Sequence, residues 1–263
     1  MRTTAKVYDL EGKSRGKISL PEVFDGEIRL DLIKRAVLTL QSHKLQPQGR
    51  NSMAGKRTTA ESYGVGHGLA RVPRVKGERY QRSGQAAFAP STVKGRATHP
   101  PTINKNLHKK INRKERLKAL RSAIAATVST DYVSQRGHLY DDKRSLPIVV
   151  IDEIQTIRKT HEAKKTLQNL GVWIDVEKVM DQVKIRAGKG RRRGRGRKHG
   201  IGPLIIINDD QGLTKAAKNF LGVNVVNVKN LNPEDLAPGT HPGRLTVWTE
   251  SAIKILKEKF SES

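Results

Sequence analysis

The sequence predicts an α/β fold in which helices surround a parallel sheet, together with a long internal extended loop and a second, basic loop. Apolar runs at 147–152, 203–209 and 223–230 are each followed by residues that favour a helix or a helical turn. Such alternation of strands and helices is typical of a parallel sheet covered by helices. Residues 45–106, in contrast, keep no strand or helix period and are rich in Gly, Pro, Ser, Thr, Gln and basic residues.

The first 44 residues begin this fold. Short strands are predicted at Lys6–Tyr8 and Lys17–Leu20, on either side of a glycine-containing turn. A helix follows, with Asp25 as its candidate N-cap. Its apolar face is formed by side chains four residues apart with a valine beside them: Ile28, Leu32, Ala36, Leu40 and Val37. This spacing predicts that one side of the helix packs on a core.

The second part of the fold begins with another helix. Asn112, with Glu115 three residues later, resembles a capping box. The apolar stripe of this helix is Leu117, Leu120 and Ile124. The run at 147–152 then predicts a buried parallel strand. It leads to a helix around Ile157–Leu170, and Gly171 is a signal for the end of that helix.

The C-terminal part continues the alternation. A shorter helix is predicted near Val176–Val183. The later apolar runs are followed by a helix near Thr214–Asn219 and by a helical turn with Pro233 in its first position. The last predicted elements are a strand near Leu245–Trp248 and a helix capped by Thr249 or Ser251.

Positive charge is concentrated in two segments. The chain has 51 Lys and Arg residues against 25 Asp and Glu residues, a formal net charge of +26. Residues 44–110 carry 14 basic and two acidic residues, and residues 183–200 carry nine basic residues and no acidic ones. These segments therefore hold 21 of the 26 excess positive charges. A chain that is nearly neutral elsewhere and strongly basic in two places is predicted to bind a polyanion, most commonly nucleic acid.

Composition excludes several other classes of protein and site. Without cysteine, the chain forms neither disulfides nor thiolate metal sites. No apolar run approaches the roughly 20 residues that span a bilayer, and the N-terminus lacks the apolar middle of a secretory signal. We therefore expect a cytoplasmic protein without a membrane partner. None of the eight histidines has a zinc-binding spacing with a carboxylate, so we predict neither a metal nor a cofactor.

The basic residues of both segments are predicted to contact RNA. In residues 184–200 arginine alternates with glycine, so a flexible backbone presents guanidinium groups that bind phosphate and stack on bases. The extended loop spaces its basic residues singly and lacks the helix or ribbon of a duplex-DNA module, which suits contacts inside a folded RNA. The predicted RNA-binding residues are Arg50, Lys56, Arg57, Arg71, Arg74, Lys76, Arg79, Arg82, Lys94 and Arg96 in the extended loop, and Lys184, Arg186, Lys189, Arg191, Arg192, Arg193, Arg195, Arg197 and Lys198 in the basic loop.

Other interpretations of the motifs remain open at this point. The GVGHG sequence at 64–68 lacks the preceding strand and following helix of a dinucleotide-binding loop. Asp152 and Asp209 follow apolar runs, at the sheet edge where α/β enzymes place their active sites. They leave open an enzyme that acts on RNA, although such residues more commonly cap helices. A protein that compacts DNA regardless of sequence is a third interpretation.

Several passages together resemble a known family. The sequence KRTTAESYGVGHGLARVPRVKGERYQRSGQAAFAPSTVKGRATHPP at 56–101 closely resembles the internal extended loop of the L-four family of large-subunit ribosomal proteins. The flanking RNSMAG, the helix NRKERLKALRSAIAAT and the later RGRGRKHGIGPLIIIND resemble the archaeal and eukaryotic branch of that family. The resemblance covers nearly the whole chain, and the length suggests the archaeal type.

The resemblance implies an organisation and a function. Residues 1–44 and 107–263 are expected to form a Rossmann-like α/β domain with a basic Arg/Gly loop at 183–201, and residues 45–106 an extended loop that penetrates RNA. The protein is then a non-enzymatic structural constituent of the large ribosomal subunit that binds its ribosomal RNA and supports subunit assembly. The loop tip is implied to line the nascent-peptide exit tunnel, beside a protein of the L-twenty-two family. The residues that best match this tip are Arg71, Val72, Pro73 and Arg74. Expected partners are thus ribosomal RNA, neighbouring large-subunit proteins and the nascent peptide.

Overall fold

A computed structural model of the chain describes residues 4–141 and 143–261. The chain divides into two compact units. Unit 1 contains the chain up to Gln41 and from Lys110 onward, and unit 2 spans Ser42–Lys109. Unit 1 contains the regular helices and strands, whereas unit 2 is built from turns and short bridges.

The strands and helices of unit 1 follow one another in an alternating order. The strands are β1 Thr4–Tyr8, β2 Ser14–Ser19, β3 Ile148–Val150, β4 Lys184–Ile185, β5 Arg197–Lys198, β6 Leu204–Ile207, β7 Asn224–Asn227 and β8 Thr246–Thr249. The helices are α1 Leu30–Ser42, α2 Arg113–Ala126, α3 Thr130–Arg136, α4 Thr160–Asn169, α5 Trp173–Asp181, α6 Gly188–Arg192, α7 Leu213–Ala217, α8 Pro233–Leu236 and α9 Glu250–Ser261. The last residue of α1 belongs to unit 2.

The main sheet is mixed rather than wholly parallel. Its strand order is β2-β1-β3-β8-β6-β7, and among the described pairs of this sheet only β1–β2 is antiparallel. A tight turn joins β1 to β2, and a turn of this length permits only an antiparallel return. In this turn the Asp9 carboxylate accepts hydrogen bonds from the amides of Glu11 and Lys13, at 3.0 and 2.8 Å. The predicted α/β class is confirmed, and the sheet, predicted to be parallel, is mostly parallel with one antiparallel edge strand.

The core of unit 1 is centred on the inner strands of this sheet. Every residue of β3, β6 and β8 is buried, as expected for parallel strands covered on both faces. Trp248 has no exposed surface and packs edge-to-face against Phe24, with ring centroids 5.3 Å apart. Ile33 of α1 and Ile124 of α2 are also fully buried. The core therefore depends on aliphatic side chains and a few aromatic rings.

Two predicted helix caps are wrong. Asp25 does not cap α1, because it lies in a 3-10 turn, Glu22–Asp25, that precedes this helix. Asn112 is the N-cap residue of α2, but its side chain makes no capping hydrogen bond. Glu115 is instead paired with Arg35 of α1 at 3.0 Å, so the expected capping box does not form.

Other predicted ends are confirmed. Gly171 follows α4 with a φ of +70°, a conformation that glycine adopts without strain. At α9, the Thr249 hydroxyl accepts a 3.3 Å hydrogen bond from the amide of Ala252, which makes Thr249 the cap rather than Ser251. The short helix α3 was not predicted, because it lies in a polar segment without a clear apolar period.

A buried arginine connects the segments that precede the strands of the sheet. Arg244 is only 3% exposed and lies two residues before β8. Its guanidinium donates hydrogen bonds to the carbonyls of Gly202, Asp235 and Gly222 at 2.9, 2.9 and 3.1 Å, and to Oδ1 of Asn224 at 2.6 Å. Burial lowers the pKa of Arg244 to about 10. Three other chain segments thus share one cation.

Candidate nucleic-acid interface

Unit 2, which we call the arm, is held in shape by backbone hydrogen bonds between short extended stretches. Glu61 and Arg74 exchange two bonds, of 3.0 and 2.9 Å. The amide of Val75 donates to the carbonyl of Gln85 at 2.9 Å, and that of Ala87 donates to Pro73 at 2.8 Å. These pairings define two loops in the arm, which we call the first loop, residues 62–73, and the second loop, residues 76–84.

The arm buries very little apolar surface. Val75 and Ala87 are its buried hydrophobic residues among those described, at 8% and 7% exposure. Further along, Gly55 and Gly95 meet so closely that a Cβ on Gly55 would lie 2.4 Å from the carbonyl carbon of Gly95. An arm with so small a core depends for its shape on turns and backbone hydrogen bonds rather than on buried side chains.

Most of the predicted RNA-binding residues of the arm have exposed side chains. Those with exposed side chains are Arg50, Lys56, Arg57, Arg71, Lys76, Arg79, Arg82 and Lys94. Arg96 is half-buried, and its guanidinium lies 5.7 Å from the ring centroid of Phe88. Lys76 forms an ion pair with Glu61, one of the two acidic residues of the arm.

Arg74 differs from its neighbours because it takes part in the structure of the arm. It is half-buried, and its Nη1 donates a 3.0 Å hydrogen bond to the carbonyl of Gly84. Its Nε is buried and has no hydrogen-bond partner among the described residues. Arg74 thereby connects the base of the first loop to the second loop.

The apex of the first loop consists of residues 63–70. Gly64, Gly66 and Gly68 adopt positive φ angles there with open space around them. Tyr63 is 43% exposed, and its ring centroid lies 6.1 Å from that of His67. Arg71 lies on the returning side of the loop, where its carbonyl accepts a 2.9 Å hydrogen bond from Ser62. Sequence reasoning missed this exposed aromatic pair, although exposed rings suit base stacking.

The second basic segment forms a hairpin rather than an irregular loop. Strands β4 and β5 are antiparallel, with Lys184 opposite Lys198 and Ile185 opposite Arg197. Helix α6 forms the turn between them, and the amide of Arg186 donates to the carbonyl of Gly196 at 2.8 Å. We call residues 184–198 the basic hairpin.

All nine predicted RNA-binding residues of the basic hairpin are exposed. They are Lys184, Arg186, Lys189, Arg191, Arg192, Arg193, Arg195, Arg197 and Lys198. Within the part of the chain that the structure describes, none of them forms an ion pair. The hairpin therefore presents nine positive charges to solvent without compensation by its own protein, as a phosphate-binding surface requires.

Comparison with known proteins identifies the family. The model of the "Ribosomal protein L4/L1 family" matches residues 18–259 of the chain. The chain belongs to this family. It is 48% identical to "Large ribosomal subunit protein uL4" of Methanosphaera stadtmanae over 98% of this chain and 97% of the relative. It is 46% identical to the protein of the same name from Methanopyrus kandleri, over 98% of this chain and 99% of the relative. It is also 46% identical to that of Saccharolobus islandicus, over 100% of this chain and 97% of the relative.

Membership of the ribosomal protein L4/L1 family makes the chain a structural protein rather than an enzyme, and the acidic residues at the sheet edge have structural partners. Oδ1 of Asp152 accepts hydrogen bonds from the amide and the hydroxyl of Ser251, at 2.9 and 2.6 Å. The amide of Asp209 donates to Oε1 of Gln155 at 3.0 Å. Asp210 accepts from the amide of Thr214 in α7 at 3.2 Å. The carboxylates of Asp152 and Asp210 therefore fix helix starts, as the simpler interpretation of the sequence predicts, whereas Asp209 contacts Gln155 through its backbone amide.

The described residues lack two further kinds of feature. No group of three or more His, Asp or Glu side chains could hold a metal ion. No helix in the same residues combines the length and the apolar character needed to cross a bilayer.

Proposed function

We propose that this protein of the L4/L1 family is a cytoplasmic structural constituent of the large ribosomal subunit, and that it binds the large-subunit ribosomal RNA through the arm and the basic hairpin. In this proposal unit 1 supplies the folded support, and the two basic segments bind RNA by neutralising backbone phosphates. The single observation that carries the proposal is the set of nine exposed and unpaired cations of the basic hairpin. Such a surface is electrostatically unfavourable until it meets a polyanion.

A measurement of salt dependence tests the RNA contact. Each phosphate contact contributes about 0.7–0.9 to the slope of log affinity against log salt concentration. The triple substitution Arg191→Gln, Arg192→Gln and Arg193→Gln in the full chain should therefore lower this slope by about 2 to 3. A matched control replaces Lys34, Lys165 and Lys218, three exposed lysines of unit 1 outside the basic hairpin, by glutamine. Equal slopes for both variants would refute the contact.

We further propose that Arg71, Val72, Pro73 and Arg74 line the nascent-peptide exit tunnel, beside a protein of the L-twenty-two family. Support comes from the resemblance of the arm to the family loop and from the position of Arg71 beside the exposed apex of the first loop. Because the chain has no cysteine, a single Val72→Cys variant carries one attachment point for a cross-linker. In intact ribosomes with a stalled peptide, this position should cross-link to the nascent chain. The exposed control Val93→Cys should not, and the reverse pattern would refute the proposal.

A further inference from the structure

A third group of cations lies in unit 1, where folding brings together residues that are far apart in the sequence. A cavity of unit 1 lies between α2, α9 and the 3-10 turn Val228–Asn230. Arg116 of α2, Lys229 of the turn and Lys259 of α9 line it. We call it the α2–α9 cavity. These residues belong to stretches that are close to neutral in the sequence, so charge counting along the chain does not reveal the group.

The walls of the α2–α9 cavity strengthen the field of its cations. Leu117, Leu120, Leu231 and Pro233 form its apolar part, and no carboxylate side chain among the described residues lines it. Low-dielectric walls focus the field of charges that share one sign. The α2–α9 cavity is therefore suited to an anion rather than to a neutral or cationic ligand.

Lys259 lies at the rim of the α2–α9 cavity, close to the charge of Arg116. Its Nζ donates a 3.3 Å hydrogen bond to the carbonyl of Lys229. Burial and, second, the nearby charge of Arg116 lower the pKa of Lys259. A bound anion between these groups would relieve their repulsion, which gives the α2–α9 cavity a preference for negative charge.

The basic surface continues along the same pair of helices. The Arg121 guanidinium of α2 lies 5.2 Å from the ring centroid of Phe260 of α9, and its buried Nε has no hydrogen-bond partner among the described residues. Arg121 and Phe260 line a second cavity, and Lys257 and one carboxylate, Glu22, line it with them. A chain of phosphates that binds at the α2–α9 cavity can therefore contact further cations outside it. This favours a long polyanion over a free ion as the ligand.

We infer that the α2–α9 cavity binds a backbone phosphate of the ribosomal RNA, as a contact additional to those of the arm and the basic hairpin. This inference rests on the proposed function, since it names a second surface for the same RNA. It assigns phosphate binding to Arg116, Lys229 and Lys259, which the sequence alone does not connect.

The test compares variants of the full chain for their binding to large-subunit ribosomal RNA. The triple variant Arg116→Gln, Lys229→Gln and Lys259→Gln should lower the slope of log affinity against log salt concentration, the salt slope, by about 2 to 3 in magnitude. The control with Lys34, Lys165 and Lys218 replaced by glutamine removes the same charge and should lower it by less than about 1. The charge-preserving variant Arg116→Lys, Lys229→Arg and Lys259→Arg should keep the slope of the original chain. A thermal melt of each variant checks that unit 1 stays folded.

The outcomes separate this inference from the proposed function. The hairpin variant carries Arg191→Gln, Arg192→Gln and Arg193→Gln, and the cavity variant carries Arg116→Gln, Lys229→Gln and Lys259→Gln. If the hairpin variant lowers the slope and the cavity variant does not, the α2–α9 cavity is not an RNA site and the proposed function stands. If neither variant lowers it, both fail. A cleavage probe attached to Asn230→Cys in assembled subunits gives an independent readout. It should cut ribosomal RNA near this position, whereas cross-linking of the same cysteine to an acidic protein segment instead of RNA would overturn the inference.

Discussion

Asp152 and Ser251 join the end of the central strand β3 to the first turn of α9. The Asp152 carboxylate accepts hydrogen bonds from both the amide and the hydroxyl of Ser251, at 2.9 and 2.6 Å. Gln155, which is buried, adds a third bond to the same oxygen at 3.2 Å and also accepts from the amide of Asp209. The network occupies the edge where an enzyme of this class would hold its substrate, and its hydrogen bonds are used for structure.

Asp152→Ala should therefore lower stability and leave RNA binding unchanged. Loss of a helix cap and of a partly buried acceptor costs about 1–3 kcal/mol in the free energy of unfolding. Denaturant unfolding measures this cost, and filter binding measures the affinity for ribosomal RNA. Glu153→Ala is the control, because Glu153 forms only an exposed ion pair with Arg15 at 3.8 Å. An unaltered unfolding midpoint in Asp152→Ala would contradict the capping role.

Arg244→Met should be among the most destabilising substitutions in unit 1. It removes a 3% exposed guanidinium that donates to the carbonyls of Gly202, Asp235 and Gly222 and to the side chain of Asn224, at a cost of about 3–5 kcal/mol in the free energy of unfolding. Thermal and denaturant unfolding report the change. Arg15→Met, at an exposed site, should change stability by less than about 1 kcal/mol. Comparable stability of the two variants would show that the buried hydrogen bonds of Arg244 contribute little.

The carboxylate of Asp210 should make a pH-dependent contribution to stability. Although desolvation by burial opposes the change, hydrogen bonds from Thr214 and Gly212 and the nearby charge of Lys215 lower the pKa of Asp210. A carboxyl whose folded pKa lies below its unfolded value stabilises the fold above the unfolded pKa, about 3.9. This contribution disappears as the pH falls through the folded pKa. The stability difference between the original chain and Asp210→Asn should thus be full at neutral pH and shrink below about pH 4. A difference that grows on acidification would contradict the assignment.

Deletion of residues 56–96 should leave unit 1 folded. The arm contributes only Val75 and Ala87 as buried hydrophobic residues, and Gly55, just before the deleted segment, lies close to Gly95 near the segment's other end, so the deletion joins positions that are already near each other. We expect a cooperative melting transition near that of the full chain and a weaker affinity for ribosomal RNA. The shorter deletion of residues 63–70 is the control for the first loop alone. Loss of the cooperative transition would show that unit 1 needs the arm in order to fold.

Arg71 and Arg74 should respond differently to the same substitution. Arg71→Gln removes an exposed charge and should lower the salt slope by about 0.7–0.9 without moving the amide signals of the arm. Arg74→Gln also removes the donor to the carbonyl of Gly84. It should therefore shift the amide signals of residues 84–87 and 61–62 as well. Identical spectra for the two variants would mean that the bond to Gly84 does not organise the loops.

The order of strands and helices could be predicted because unit 1 is locally consistent. Apolar runs such as 203–209 form strands that are buried along their whole length, and Gly171 ends a helix for a purely local reason. The failed predictions concern contacts between distant segments. Glu115 suits a capping box by its spacing, but Arg35, 80 residues away in sequence, takes its carboxylate.

For the candidate interface as well, local sequence predicts the basic segments, but it does not predict the contacts between residues that are distant in the sequence. Charge density along the chain was enough to propose the arm and the basic hairpin as RNA-binding segments. Two features depend on folding and are invisible in that count. Arg74 is partly committed to a carbonyl within the arm, and three cations from separate elements line the α2–α9 cavity. Such arrangements arise only from tertiary packing.

The basic hairpin pairs just two residues on each strand, and its one large apolar side chain, Ile185, is 70% exposed. A two-stranded ribbon of this size has little cohesion of its own in water. In the proposed complex with RNA, we therefore expect the nucleotides around the ribbon to decide its final shape. Ordering of the ribbon is then expected only where the RNA has already folded, so it marks a correctly formed surface of the particle.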